Sequence, residues 1–157
     1  MKKMFKFLFV VALAFVVCAC GAPEPNKTIH LASEYDGMQI DVVLECKDDI
    51  LLKETQTIKT NVNAIIEEYG ISKDDYMKEL YSFKVTYEEF ECFDYEYTLE
   101  DETVTEVLVY DYSKPDYIKT LVEEELLELE DGSDTALAME YQDYVDSMVE
   151  EGFEIIE

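Results

Sequence analysis

The stretch from Met38 to Cys46 constrains the fold more than any other part of the chain. Met38, Ile40, Val42, Leu44 and Cys46 alternate with Gln39, Asp41, Val43 and Glu45. A period of two describes a strand with one buried face, and that face needs a layer packed against it. Lys47-Asp48-Asp49 is rich in turn residues, and Ile50 to Thr60 carries Thr55, Thr57, Ile58 and Thr60, so the two segments are expected to pair as a hairpin. Val62, Ile65, Ile66 and Tyr69 then fall at helical spacing, with Gly70 placed to cap the end. Ser72, followed by Asp74 and Asp75, starts a longer helix whose Tyr76, Leu80, Phe83 and Tyr87 share one stripe. Phe93, Tyr95, Tyr97 and Leu99 alternate with Asp94, Glu96 and Thr98, and a second apolar run from Thr103 to Tyr112 completes another hairpin. Asp116 can cap a short helix from Tyr117, while the acidic stretch from Glu123 to Asp131 has no clear period. Ala136 to Glu151 puts Leu137, Tyr141, Tyr144, Val145 and Met148 on one helix face, Gly152 closes that helix, and Phe153 to Ile156 returns as a strand. The expected fold is α+β: an antiparallel sheet of two hairpins plus a C-terminal strand, packed by two main α-helices.

The beginning of the chain reads as an address. Lys2, Lys3 and Lys6 form a basic start, and Leu8 to Val17 is an unbroken apolar run ending in small residues. That run is shorter than the roughly 20 residues of a spanning helix, so an export signal is the better reading. Val17-Cys18-Ala19-Cys20 followed by Gly21 resembles the lipobox of bacterial lipoproteins. The resemblance implies that the Cys20 thiol takes a diacylglyceryl group, that cleavage occurs before it, and that Cys20 becomes the first mature residue. Two acyl chains hold a protein on a bilayer where one anchors only marginally. Residues 1–19 are then the signal peptide, 20–27 the lipidated cysteine and its tether, and 28–157 one α+β domain. The tether contains Pro23 and Pro25, which favour an extended spacer of roughly 20 Å.

Charge narrows the partners. The chain has 38 Asp and Glu against 12 basic residues, all lysine, for a formal charge of −26; loss of the leader removes three lysines and no acid, giving −29. Such a body is repelled by phosphate backbones and by anionic headgroups, so nucleic acid is a poor partner and the domain should stand off the membrane. Its 48% hydrophobic content, with 12 Tyr and 8 Phe, is that of a folding chain rather than an acidic tail.

Several strings resemble the YehR-like lipoprotein family, whose shared domain has no assigned function. They are the alternating strand Met38 to Leu44, Ile50-Leu51-Leu52-Lys53, the helix start Ser72-Lys73-Asp74-Asp75, the string Tyr110-Asp111-Tyr112-Ser113-Lys114-Pro115-Asp116, and Val149-Glu150-Glu151-Gly152-Phe153. These are strand faces, caps and turns, so the resemblance implies fold and location and no activity.

Catalytic signals are sparse. His30 is the one histidine, so a catalytic His pair or a multi-His metal site cannot be assembled from it. The sequence has no G-x-S-x-G, no H-E-x-x-H and no phosphate-binding glycine loop. Cys46 and Cys92 are either two buried thiols or a bridge, which would close a long loop and contribute about 3 to 5 kcal/mol. Glu123-Glu124-Glu125, Glu128-Leu129-Glu130-Asp131 and Glu150-Glu151 could collect divalent cations. Counting back from Gly132 as the sixth position of a calcium loop, however, puts Leu127 first and Leu129 third. Adjacent acids such as Glu88 and Glu89 do not establish the separation glycoside hydrolysis needs. The expectation is a membrane-anchored extracytoplasmic lipoprotein of a Gram-positive-type envelope, lipidated at Cys20, with no catalytic residue, metal or cofactor and with a domain that binds or supports an envelope partner. An acidic cation-binding module is the alternative, and a carboxylate-based hydrolase follows it.

Overall fold

The computed structural model describes residues 24–35, 37–114, 120, 123 and 140–156. Six strands form one antiparallel sheet: β1 (Lys27–Tyr35), β2 (Met38–Lys47), β3 (Ile50–Asn61), β4 (Phe93–Glu100), β5 (Thr103–Asp111) and β6 (Glu154–Ile156). Their spatial order is β4-β5-β3-β2-β1-β6. Three helices with defined bounds accompany them among the described residues: α1 (Val62–Tyr69), α2 (Lys73–Tyr87) and α3 (Tyr141–Glu150). This is the α+β fold read from the sequence, with both hairpins, the C-terminal strand and two main helices in place, and with β1 as an additional strand. β1 begins at Lys27, the last residue of the segment read as tether, and pairs with β2 along its whole length, from Lys27 opposite Cys46 to Tyr35 opposite Met38.

Local chemistry sets the boundaries. Asn61 caps α1 by accepting from the amides of Asn63 and Ala64, and Gly70 ends it in the left-handed region at φ 66°. Ser72 caps α2 through the Asp75 amide, and Asp74 and Asp75 sit where the helix dipole favours negative charge. The β2–β3 turn, which lacks glycine, places Asp48 at φ 55°, and Asp101 does the same between β4 and β5 at φ 56°. Aspartate enters this region at lower cost than most residues.

One irregularity decides what the core contains. Glu45 pairs with Lys53 but Cys46 pairs with Leu51, so Leu52 is an extra residue and the phase of β3 changes there. Leu51 and Glu54 consequently face the same side although three positions apart. That side carries Leu31, Val42, Leu44 and Cys46, and with Tyr87, Phe93, Tyr95, Tyr110, Val145 and Met148 they form the main core. A smaller cluster of Val62, Leu80 and Val104 lies under α1 and the start of α2. All three helices therefore contribute to one face of the sheet.

Cys46 and Cys92 are both buried and both free, so the bridge allowed by the sequence is not made. Of the helix expected over Ala136 to Glu151, Tyr141–Glu150 is helical, while Leu137 and the residues through 139 lie outside the described part. The expected strand at Phe153 begins one residue later.

Candidate functional site

The residues singled out by sequence do not converge. Cys20, the expected lipidation site, lies outside the described residues, as do the run from Glu124 to Asp131 and most of the helix expected after Asp116, of which Thr120 and Glu123 are described and helical. His30 is exposed on β1, opposite Val43 on one side and Ile156 on the other. Glu88, Glu89, Glu150 and Glu151 are all exposed. Among the described residues no group of three or more His, Cys, Asp or Glu is placed to hold a metal ion.

The structure instead brings together a polar cluster inside the core. Glu54 has 0% exposure. Gln56 donates to its Oε1 at 2.7 Å, while the hydroxyls of Tyr112 and Tyr144 donate to its Oε2 at 2.9 and 2.8 Å. Strand β3, the residue beyond β5, and helix α3 thus meet on one carboxyl. Burial raises its pKa above the ordinary glutamate value, although each of the three donors pulls the other way. Burial likewise raises both tyrosines, with the carboxyl adding to the effect. A second carboxyl on this face, Glu106 of β5, accepts from the Tyr95 hydroxyl at 2.5 Å and is also raised by burial. Beside it Tyr76 is pushed up to about 12, mainly by burial. Sequence reasoning missed both acids, since each is a lone acid in a mixed polar and apolar strand.

The opposite face of the sheet has a different character. Successive cross-strand rows run Ile156, His30, Val43, Thr55, Val109, Asp94 and Glu154, Ala32, Asp41, Thr57, Val107, Glu96. Val43, Thr55, Thr57, Val107 and Val109 are half-buried by their neighbours, and among the described residues no helix lies over them. Acids flank this strip at both ends: Asp41 and Glu154 on one side, Asp94 and Glu96 on the other. It is a flat surface of β-branched side chains about three strand spacings, or roughly 14 Å, from Asp41 to Glu96.

Asn26, just before β1, is clamped to the β2–β3 turn. The Asn26 side chain donates to Asp48 Oδ1 at 3.1 Å and accepts from the Asp48 amide at 2.9 Å, and the Asn26 amide donates to the Cys46 carbonyl at 2.9 Å. Lys27 places its ammonium 3.7 Å from the centre of the Tyr141 ring, and the Tyr141 amide donates to the Asp49 carbonyl at 3.2 Å. The first strand, the first hairpin and α3 are therefore joined at one end of the sheet, the end from which the N-terminal segment departs.

No protein-family model matches the sequence, and no curated protein matches it. Solved structures do. The solution structure of a protein from Streptococcus pneumoniae TIGR4 is similar with a TM-score of 0.53 at 15% identity, over 88% of this chain and 90% of that one. The solution structure of the E. coli YehR protein is similar with a TM-score of 0.66 at 20% identity, over 87% of this chain and 93% of that one. In its arrangement of strands and helices, the chain has a YehR-like fold.

Proposed function

We propose that this chain is a bacterial lipoprotein, held on the extracytoplasmic face of the cell membrane by acylated Cys20, whose α+β domain binds or supports an envelope partner without catalysing a reaction. The order of basic start, apolar run and Val17-Cys18-Ala19-Cys20-Gly21 carries the reading. The fold is consistent with it, because β1 begins at Lys27, only a few residues beyond Cys20 in the sequence, so the segment between them is short. The strip of Val43, Thr55, Thr57, Val107 and Val109, over which no described helix lies, is the surface on offer to a partner.

Radiolabelled palmitate should enter the wild-type protein and not Cys20→Ser, and Cys20→Ser should leave the membrane fraction. Label missing from the wild type, or a Cys20→Ser protein that still sediments with membranes, would overturn the anchor. A photo-crosslinking residue at Thr57 should form discrete adducts in intact cells where the same residue at exposed Lys78 does not. Equal yields at the two positions would remove the strip as the binding surface.

A further inference from the structure

Glu54 lies where the C-terminal unit of the fold meets the sheet. That unit is α3, the turn at Gly152 and β6. It is held by Val145 and Met148 in the core, by pairing of β6 with His30, Leu31 and Ala32, by the contacts of Tyr141 with Lys27 and Asp49, and by the Tyr144 hydroxyl on Glu54. Within the buried seam, the polar link is the last of these.

Among the described residues the groups facing that carboxyl are neutral. Leu44 stands opposite it on β2 and Tyr110 opposite it on β5, with Tyr112 beyond the strand end, Tyr144 on α3 and Gln56 on its own strand. Other titratable groups of this core, among them the thiols of Cys46 and Cys92 and the phenols of Tyr87 and Tyr95, are kept protonated by burial. The acids of α3, Asp143, Asp146 and Glu150, are exposed. Lys53 precedes Glu54 in sequence but lies on the other face, 3.6 Å from Glu45. Protonated Glu54 is easily accommodated, because a phenol both donates and accepts and one tyrosine hydroxyl can turn to take the new proton. Ionised Glu54 keeps its donors but, among the described residues, has no cation beside it, and its 0% exposure keeps the charge from bulk solvent. Strand β3 cannot yield, since β2 and β5 hold it on both sides; α3 and β6, at the edge of the fold, can.

We propose that the proton on Glu54 is a latch for the α3–β6 unit: the protonated carboxyl keeps the unit docked on the sheet, and loss of the proton loosens it, baring Leu31, Val42 and the edge of β1. The docked state binds the proton more tightly than the open one. Docking is therefore strongest below the ordinary glutamate range and weakens as pH rises through the docked-state value.

Amide hydrogen exchange on the purified protein between about pH 5 and about pH 8 tests this, with rates expressed as protection factors. Amides of α3 and β6 should lose protection by up to about tenfold per pH unit, the limit for release of one proton, while amides of α2, β4 and β5 lose less. Glu54→Gln should flatten the α3 and β6 response to that of α2. Equal slopes in α3 and α2 of the wild type, or a wild-type slope retained by Glu54→Gln, would overturn the latch. Should Glu54→Gln fail to fold, the side-chain carboxyl carbon shift of wild-type Glu54 decides the matter. A midpoint clearly above about 4.3, the ordinary glutamate value, supports the latch, and one at or below it overturns it.

Discussion

Glu54 and Glu106 occupy the same face of the sheet on neighbouring strands, yet their surroundings treat them differently. Glu54 is sealed under α3 and receives three hydrogen bonds; Glu106 is partly open and receives one, from Tyr95. Among the described residues neither has a lysine as hydrogen-bonding or ion-pair partner, and tyrosine hydroxyls are among the donors that serve instead. A phenol satisfies an acid without fixing its charge state, which a guanidinium or ammonium would do. The contrast teaches that burial alone does not define a polar core site: the number of donors decides how firmly the elements that carry them are tied together.

The largest expected effect separates the two acids directly. Glu54→Ala opens a cavity and leaves the amide of Gln56 and the hydroxyls of Tyr112 and Tyr144 without their acceptor, so it should cost about 3 kcal/mol in urea unfolding. Glu106→Ala, which leaves only the Tyr95 hydroxyl without its acceptor, should cost about 1 kcal/mol. Equal losses would end the distinction. Next, Tyr144→Phe should cost about 1 kcal/mol and Tyr95→Phe about half of that, since the former hydroxyl donates to a fully buried carboxyl and the latter to a partly exposed one. A larger loss for Tyr95→Phe would reverse the ranking of the two sites. Smallest, Lys27→Ala should cost about 0.5 kcal/mol through its contact with the Tyr141 ring, and amide exchange should place that loss at the start of α3 and leave α2 unchanged.

Much of the architecture was legible because its signals are local. The alternation from Met38 to Cys46, the Ser72 cap with Asp74 and Asp75, and the paired runs around Glu100-Asp101-Glu102 each lie within one short window. β1 escaped because its inward register, Lys27, Ile29, Leu31, Ser33 and Tyr35, includes a lysine and a serine, which blur the period. Glu54 escaped for a geometric reason. Regular alternation from Leu51 would turn Lys53 and Thr55 inward and Glu54 outward, and only the extra residue at Leu52 reverses this. Its partners stand 58 and 90 residues away, a distance that no periodicity spans.

The clamp between Asn26 and Asp48 has a mechanical consequence. β1 enters the sheet at the β2–β3 turn and runs its full length beside β2, so tension drawn from the N-terminal side acts along the strand axis. The ladder from Lys27 to Tyr35 is then loaded in shear, with its bonds sharing the force together instead of parting one after another like a zip. A pull applied at that end is met by the whole ladder at once.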